Sequence, residues 1–146
     1  MKPKRIHHIG VVLPTIQAAQ HIMKLFDMEV DYQGYVEAYK ADLIFTKYGE
    51  HESPIEFIIP HEGVLTKFND GKGGIAHIAF EVDDVEAARK EFEAEGVECL
   101  EKKAVPGTDD IVVNFVRPRF TDHILFELVQ TVAPIKRGEQ VKEVAK

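Results

Sequence analysis

His8-Ile9-Gly10-Val11-Val12-Leu13 and His77-Ile78-Ala79-Phe80-Glu81-Val82 share one form, an imidazole heading a short apolar run, at an offset of 77 − 8 = 69. The likeness stays in phase downstream: Thr15-Ile16-Gln17-Ala18-Ala19 stands against Asp84-Val85-Glu86-Ala87-Ala88, and it reaches Met28 and Val97. A second pair follows, Ile55-Glu56-Phe57-Ile58 against Phe126-Glu127-Leu128-Val129, at an offset of 127 − 56 = 71. One such match means little. Two in the same order, at nearly the same offset, point to a duplicated module of about 70 residues.

Periodicity gives each module its elements. Residues 6–13 alternate and are rich in Ile and Val, so they read as a strand. Thr15 is an N-cap for a helix whose apolar positions, Ile16, Ala19, His21–Met23 and Phe26, recur at helical spacing. Strands are expected over 28–37, 41–48 and 54–60, interrupted near Lys40 and by Gly49-Glu50-His51-Glu52-Ser53-Pro54. The second half repeats the order. A strand covers 75–82, Asp83 with Glu86 forms a capping box, and Gly96 stops the helix after Glu95. Strands follow at 97–103, 111–117 and 123–130, with Pro106-Gly107-Thr108 and Arg117-Pro118 as breakers. The fold class is therefore α+β. Tandem βαβββ modules over 5–62 and 74–131 are expected to curve their mixed sheets into a metal-binding cleft, leaving 132–146 as a C-terminal tail without a counterpart.

Composition narrows the function. Hydrophobic residues make up 45% and charged residues 29% of the 146, the balance of a globular chain. No apolar run approaches the ~20 residues that cross a bilayer, and the basic start lacks the apolar stretch of a secretory signal. A single cysteine, Cys99, excludes an internal disulfide and suits a reducing compartment, so a cytoplasmic location is expected. The net charge of −7, with Lys and Arg scattered, argues against nucleic acid as partner. A small-molecule substrate is the expected partner, and the open sheet edges at 28–37 and 97–103 make a homodimer the expected assembly.

Four residues stand out against this background. Glu56 sits in Pro-Ile-Glu-Phe-Ile-Ile-Pro and Glu127 in Ile-Leu-Phe-Glu-Leu-Val, where a carboxylate is costly to bury unless paired or bound to a cation. Alternation puts Ile55, Phe57 and Ile59 on one face and Glu56 with Ile58 on the other. His8 shares its face with Gly10 and Val12, and His77 with Ala79 and Glu81, small neighbours beside each ring. A lone strand histidine is ordinarily a satisfied core residue, and a lone strand glutamate is ordinarily solvated. Here His and Glu return together at equivalent positions, so His8, Glu56, His77 and Glu127 are read as the ligands of one divalent metal ion. His7 faces the other way, its counterpart is Ala76, and it is read as structural.

These residues resemble those of the vicinal oxygen chelate superfamily, which includes glyoxalase I, methylmalonyl-CoA epimerases, extradiol dioxygenases and bleomycin-binding proteins. The resemblance spans about residues 5–130. It is nearest to the epimerase branch through Ala76-His77-Ile78-Ala79-Phe80-Glu81-Val82-Asp83-Asp84-Val85, Pro106-Gly107-Thr108, Asn114-Phe115-Val116-Arg117-Pro118 and Leu125-Phe126-Glu127-Leu128-Val129-Gln130. It implies the same four metal ligands, and an acyl-CoA-type substrate. A second acidic group is expected on the third strand, where Leu43 falls and Asp42 is one residue off; Glu37, Asp42, Glu81 and His123 are the remaining candidates for an additional acid or base.

Mixed imidazole and carboxylate donors suit Zn, Ni, Co, Mn or Fe. Four protein ligands leave two neighbouring positions on a six-coordinate ion, which fits a substrate offering two oxygens and a Lewis-acid-stabilised enolate. Glu56 and Glu127 are the expected catalytic carboxylates, one removing and one returning a proton. A fourth ligand at Glu56 argues against oxygen chemistry, which needs three open positions. The favoured reading is a metal-dependent epimerase of a 2-substituted malonyl thioester, using Co, Ni, Zn or Mn. The alternatives are a glyoxalase I-like lyase acting on a thiol hemithioacetal and a metal-free drug-binding protein. Whether the site is built within one chain or across a swapped dimer stays open.

Overall fold

Ile and Val alternate through the opening strand, and in the computed structural model they form β1 (Arg5–Val12), the first of eight strands that accompany two α-helices among the described residues. The structure describes residues 1–108 and 110–133. The order is β1, α1 (Ile16–Leu25), β2 (Val30–Val36), β3 (Ala41–Thr46), β4 (Ile55–Pro60), β5 (Gly74–Glu81), α2 (Val85–Ala94), β6 (Val105–Pro106), β7 (Ile111–Val116) and β8 (Phe126–Thr131). This is βαβββ twice, an α+β fold. The expected tail lies outside the described residues from 134 onward.

The chain divides into two compact units. One covers residues 9–76. The other joins residues 1–8 to the described residues between 77 and 133.

In the first of these, β4 pairs in parallel with the later part of β1, Ile9 beside Ile55 and Val12 beside Ile58, and β3 runs antiparallel between β4 and β2. Thr15, extended at φ −142°, accepts a hydrogen bond from the Ala18 N–H at 3.2 Å and starts α1 as the sequence requires. The buried Leu13, Ala19, Met23, Ile44, Phe57 and Ile59 form the core beneath α1. The other face is apolar as well, with Val12, Ala41, Leu43 and Ile58 packed by Leu65 and Phe68. Every residue of β3 is buried for that reason. Gly73 closes the unit at φ +79°, and a Cβ there would lie 2.2 Å from the Val12 carbonyl oxygen, a position only glycine tolerates.

In the other unit β5 pairs in parallel with β8, and β7 runs antiparallel to β8. Residues before β1 join it through the Lys4 N–H, which donates to the Glu81 carbonyl at 2.8 Å. One face of the sheet packs Val82, Val85, Ala88, Cys99, Val116 and Leu128 around α2, and the other packs Ala79, Ile111, Val113 and Val129. Gly96, at φ +80°, terminates α2 as expected.

Three expectations are corrected here. The helix cap is Asp84, not Asp83: its carboxylate accepts from the Ala87 N–H at 3.0 Å, while Glu86 accepts from Arg89 and from the Ala104 N–H. Residues 97–103 do not form a strand. Only Cys99 bridges to Val116, because the fully buried Asn114 side chain takes both the N–H and the carbonyl of Glu101, satisfying groups a ladder would otherwise use. The short β6 instead contains Pro106, read as a breaker, at a sheet edge where a proline is tolerated. Finally, His123 precedes β8 in a turn, with Asp122 and His123 at φ 52° and 69°.

Candidate metal centre

Three of the four expected ligands converge. His8 in β1, His77 in β5 and Glu127 in β8 are 1%, 7% and 5% exposed. The Nε2 atoms of His8 and His77 are 3.1 Å apart, and Glu127 Oε1 lies 3.0 Å from the first and 3.3 Å from the second. Sheet register explains the meeting: Ala79 pairs with Glu127, so Glu127 stands one strand away and two residues along from His77. Phe115 pairs with Glu127 from the other side, and its ring packs edge-on against His77 at 6.0 Å, an apolar wall beside the donors.

The donors fit a cation better than they fit one another. Despite the short separations, Glu127 Oε1 has no partner in hydrogen-bond geometry among the described residues. Burying a carboxylate oxygen without one costs roughly 1–3 kcal/mol or more. Burial alone would push the Glu127 carboxyl up; the adjoining imidazoles of His77 and His8 outweigh it and hold the group below the ordinary carboxylate range. Metal–ligand bonds of about 2.0–2.2 Å place neighbouring ligands of an octahedral ion about 2.8–3.1 Å apart, close to the three separations here. Two imidazoles and one carboxylate, without thiolate, suit a first-row divalent ion.

Glu56 lies in the other unit. It is 6% exposed in β4, in register with Gly10 of β1 and Phe45 of β3. Asp42 is buried on the α1 side of its sheet, in register with Ile59, and its Oδ2 lies 2.8 Å from His61 Nε2. Glu37 sits exposed in a 3-10 turn, paired with Lys40 at 2.5 Å. Glu81 has both oxygens engaged, one by Arg5 at 2.8 Å and one by the Thr131 hydroxyl at 3.0 Å. His123 is exposed. None of these four joins the converging group.

His7, read from the sequence as structural, lies directly beside a ligand candidate. It is 5% exposed, and its Nδ1 lies 2.8 Å from His8 Nδ1. Burial first, then the nearby His8 and Arg5, push its pKa from 6.5 to about 4, so the ring is neutral.

Residues 7–115 match the model of the Glyoxalase/Bleomycin resistance protein/Dioxygenase superfamily. The chain belongs to this superfamily. A curated relative, the mitochondrial methylmalonyl-CoA epimerase of Dictyostelium discoideum, is 27% identical over 131 residues, covering 85% of this chain and 76% of that protein. The crystal structure of methylmalonyl-CoA epimerase from Mycobacterium tuberculosis superposes with a TM-score of 0.83 at 21% identity, covering 90% of both chains. A Streptomyces coelicolor methylmalonyl-CoA epimerase in complex with 2-nitronate-propionyl-CoA gives 0.83 at 24%, covering 92% of this chain and 99% of that one. Among the described residues no helix is long and apolar enough to cross a membrane.

Proposed function

We propose that this chain is a metal-dependent epimerase of 2-substituted malonyl thioesters of the acyl-CoA type. The observation that carries the reading is the buried convergence of His8, His77 and Glu127, in a chain whose relatives bear the epimerase name. These three residues would hold one divalent cation. Glu56 is proposed as the fourth ligand from its equivalence to Glu127 in the repeat. Once bound, the cation supplies Lewis-acid stabilisation of the negative charge that develops on the substrate's carbonyl oxygens.

The chain's own residues supply the rest. Glu127, kept ionised by two imidazoles, is held in a form that accepts a proton. Epimerisation needs removal from one side of the α-carbon and return from the other, and Glu56 and Glu127 are the two carboxylates proposed for it. Phe115, packed against His77, keeps water from one side of the donors. Three donors alone would also suit an oxygen-activating ion; Glu56 is what favours isomerisation.

The test is hydrogen exchange in heavy water. One enantiomer of methylmalonyl-CoA should take up a single α-deuterium while its optical rotation decays to zero, with no net loss of substrate and no oxygen uptake. Chelation should stop the exchange, and Co, Ni or Zn should restore it. A chemically distinct product from a hemithioacetal would favour the lyase reading. Exchange at an unchanged rate in the metal-free protein would refute the mechanism.

A further inference from the structure

Two consecutive strand residues normally point to opposite faces, yet His7 and His8 are both buried with their Nδ1 atoms 2.8 Å apart. A hydrogen bond between two such nitrogens takes one proton, so one ring must carry it and the other must offer a lone pair. The other nitrogen of His8 decides between them. Its Nε2 lies 3.1 Å from His77 Nε2 and 3.0 Å from Glu127 Oε1, where a cation would need a lone pair. A neutral imidazole with a free Nε2 lone pair holds its proton on Nδ1. His8 therefore donates and His7 accepts. His7 then keeps its own proton on Nε2, which has no hydrogen-bond partner among the described residues. In the metal-free chain the same assignment would let His77 Nε2–H donate to His8 Nε2, 3.1 Å away.

We propose that His7 is a positioning residue for the metal centre: by accepting a hydrogen bond from His8 Nδ1–H, it locks the tautomer and ring orientation that turn His8 Nε2 toward the cation. The inference rests on the metal reading above. Partners of ligating histidines are ordinarily carboxylates, backbone carbonyls or water, and a carboxylate raises the basicity of the ligand. A neutral imidazole fixes the ring without adding negative charge, so the cation would keep more of its Lewis acidity.

The test compares the full-length chain with His7→Asn, whose amide oxygen can take the place of Nδ1, and His7→Leu, which fills space without an acceptor. Ring-nitrogen NMR of the metal-free wild type should show His8 protonated on Nδ1. Competition with a chromophoric chelator should show Co(II) bound about 10–100-fold more weakly by His7→Leu, with His7→Asn close to wild type and sharing its Co(II) absorption spectrum. A His8 proton on Nε2 in the wild type, equal affinity in His7→Leu, or a loss in His7→Asn as large as in His7→Leu would each overturn the proposal. If His7→Leu does not fold, the wild-type tautomer and the His7→Asn affinity still decide. A wild type that binds no Co(II) or Zn would sink the metal reading itself, whereas equal binding by wild type and His7→Leu would remove only the role of His7.

Discussion

Changing Glu127 to Gln keeps the shape of the side chain and removes the one anionic donor in the converging group. A cation that binds only the folded chain stabilises it by RT ln(1 + [L]/Kd), about 2.7 kcal/mol when the metal is present at 100 times its Kd. For a chain of this size each kcal/mol moves the melting midpoint by about 4 °C, so saturating metal should raise the wild-type midpoint by roughly 10 °C. Damage around a metal site costs about 10–100-fold in affinity. At the same metal concentration the Glu127→Gln chain would then gain only about 1.4 to 0.4 kcal/mol, a rise of about 6 °C at most and about 2 °C at the far end. Each variant is compared with its own chelated form, so any change in intrinsic stability cancels. Thermal unfolding followed by fluorescence or circular dichroism, with and without Zn or Co, gives both numbers. Equal rises in the two proteins would refute the assignment of Glu127 as a ligand.

Glu86 is held below the usual carboxylate range by the Ala104 N–H and then by Arg89. Its folded pKa is thus lower than its unfolded one, so its contribution is present at neutral pH and lost as pH falls through the folded value. Urea midpoints of wild type should fall more steeply below about pH 5 than those of Glu86→Gln, and parallel curves would contradict the clamp. Gly73→Ala should yield a chain destabilised by more than about 1–2 kcal/mol, since φ is +79° and the new Cβ meets the Val12 carbonyl oxygen at 2.2 Å; an unchanged urea midpoint would mean the backbone there is wrongly described. Asp42→Asn should leave α-deuterium exchange intact, because Asp42 lies on the α1 side of its sheet beside His61; a loss of exchange with metal binding preserved would make Asp42 part of the chemistry.

Much of the fold could be read in the residues because the signals were local and repeated. The alternation in β1, the Thr15 cap and the Gly96 stop each depend on a few neighbouring side chains, and each appears where its chemistry demands. The errors came where a distant side chain replaced a ladder. Val97 to Lys103 look like a strand until Asn114, remote in sequence, takes the backbone groups of Glu101. Asp83 and Asp84 are both good caps, and a local rule cannot choose between them. In the site, recurrence marked His8, His77 and Glu127 because a duplication repeats its chemistry. It marked His7 as merely structural for the same reason: the repeat places Ala76 opposite it, and a feature held by one half only leaves no echo to find.

The three converging donors are spread widely along the chain. His8 is made early in synthesis, His77 is 69 residues behind it, and Glu127 is 50 residues later still. Closing such loops costs entropy that grows with the logarithm of length, and contacts this remote in sequence form late. A product stalled before Glu127, or one that lacks His8, could not assemble the three-donor set. Metal uptake would then report that synthesis had passed Glu127 and that the chain had closed on itself, an integrity check written into the order of the residues.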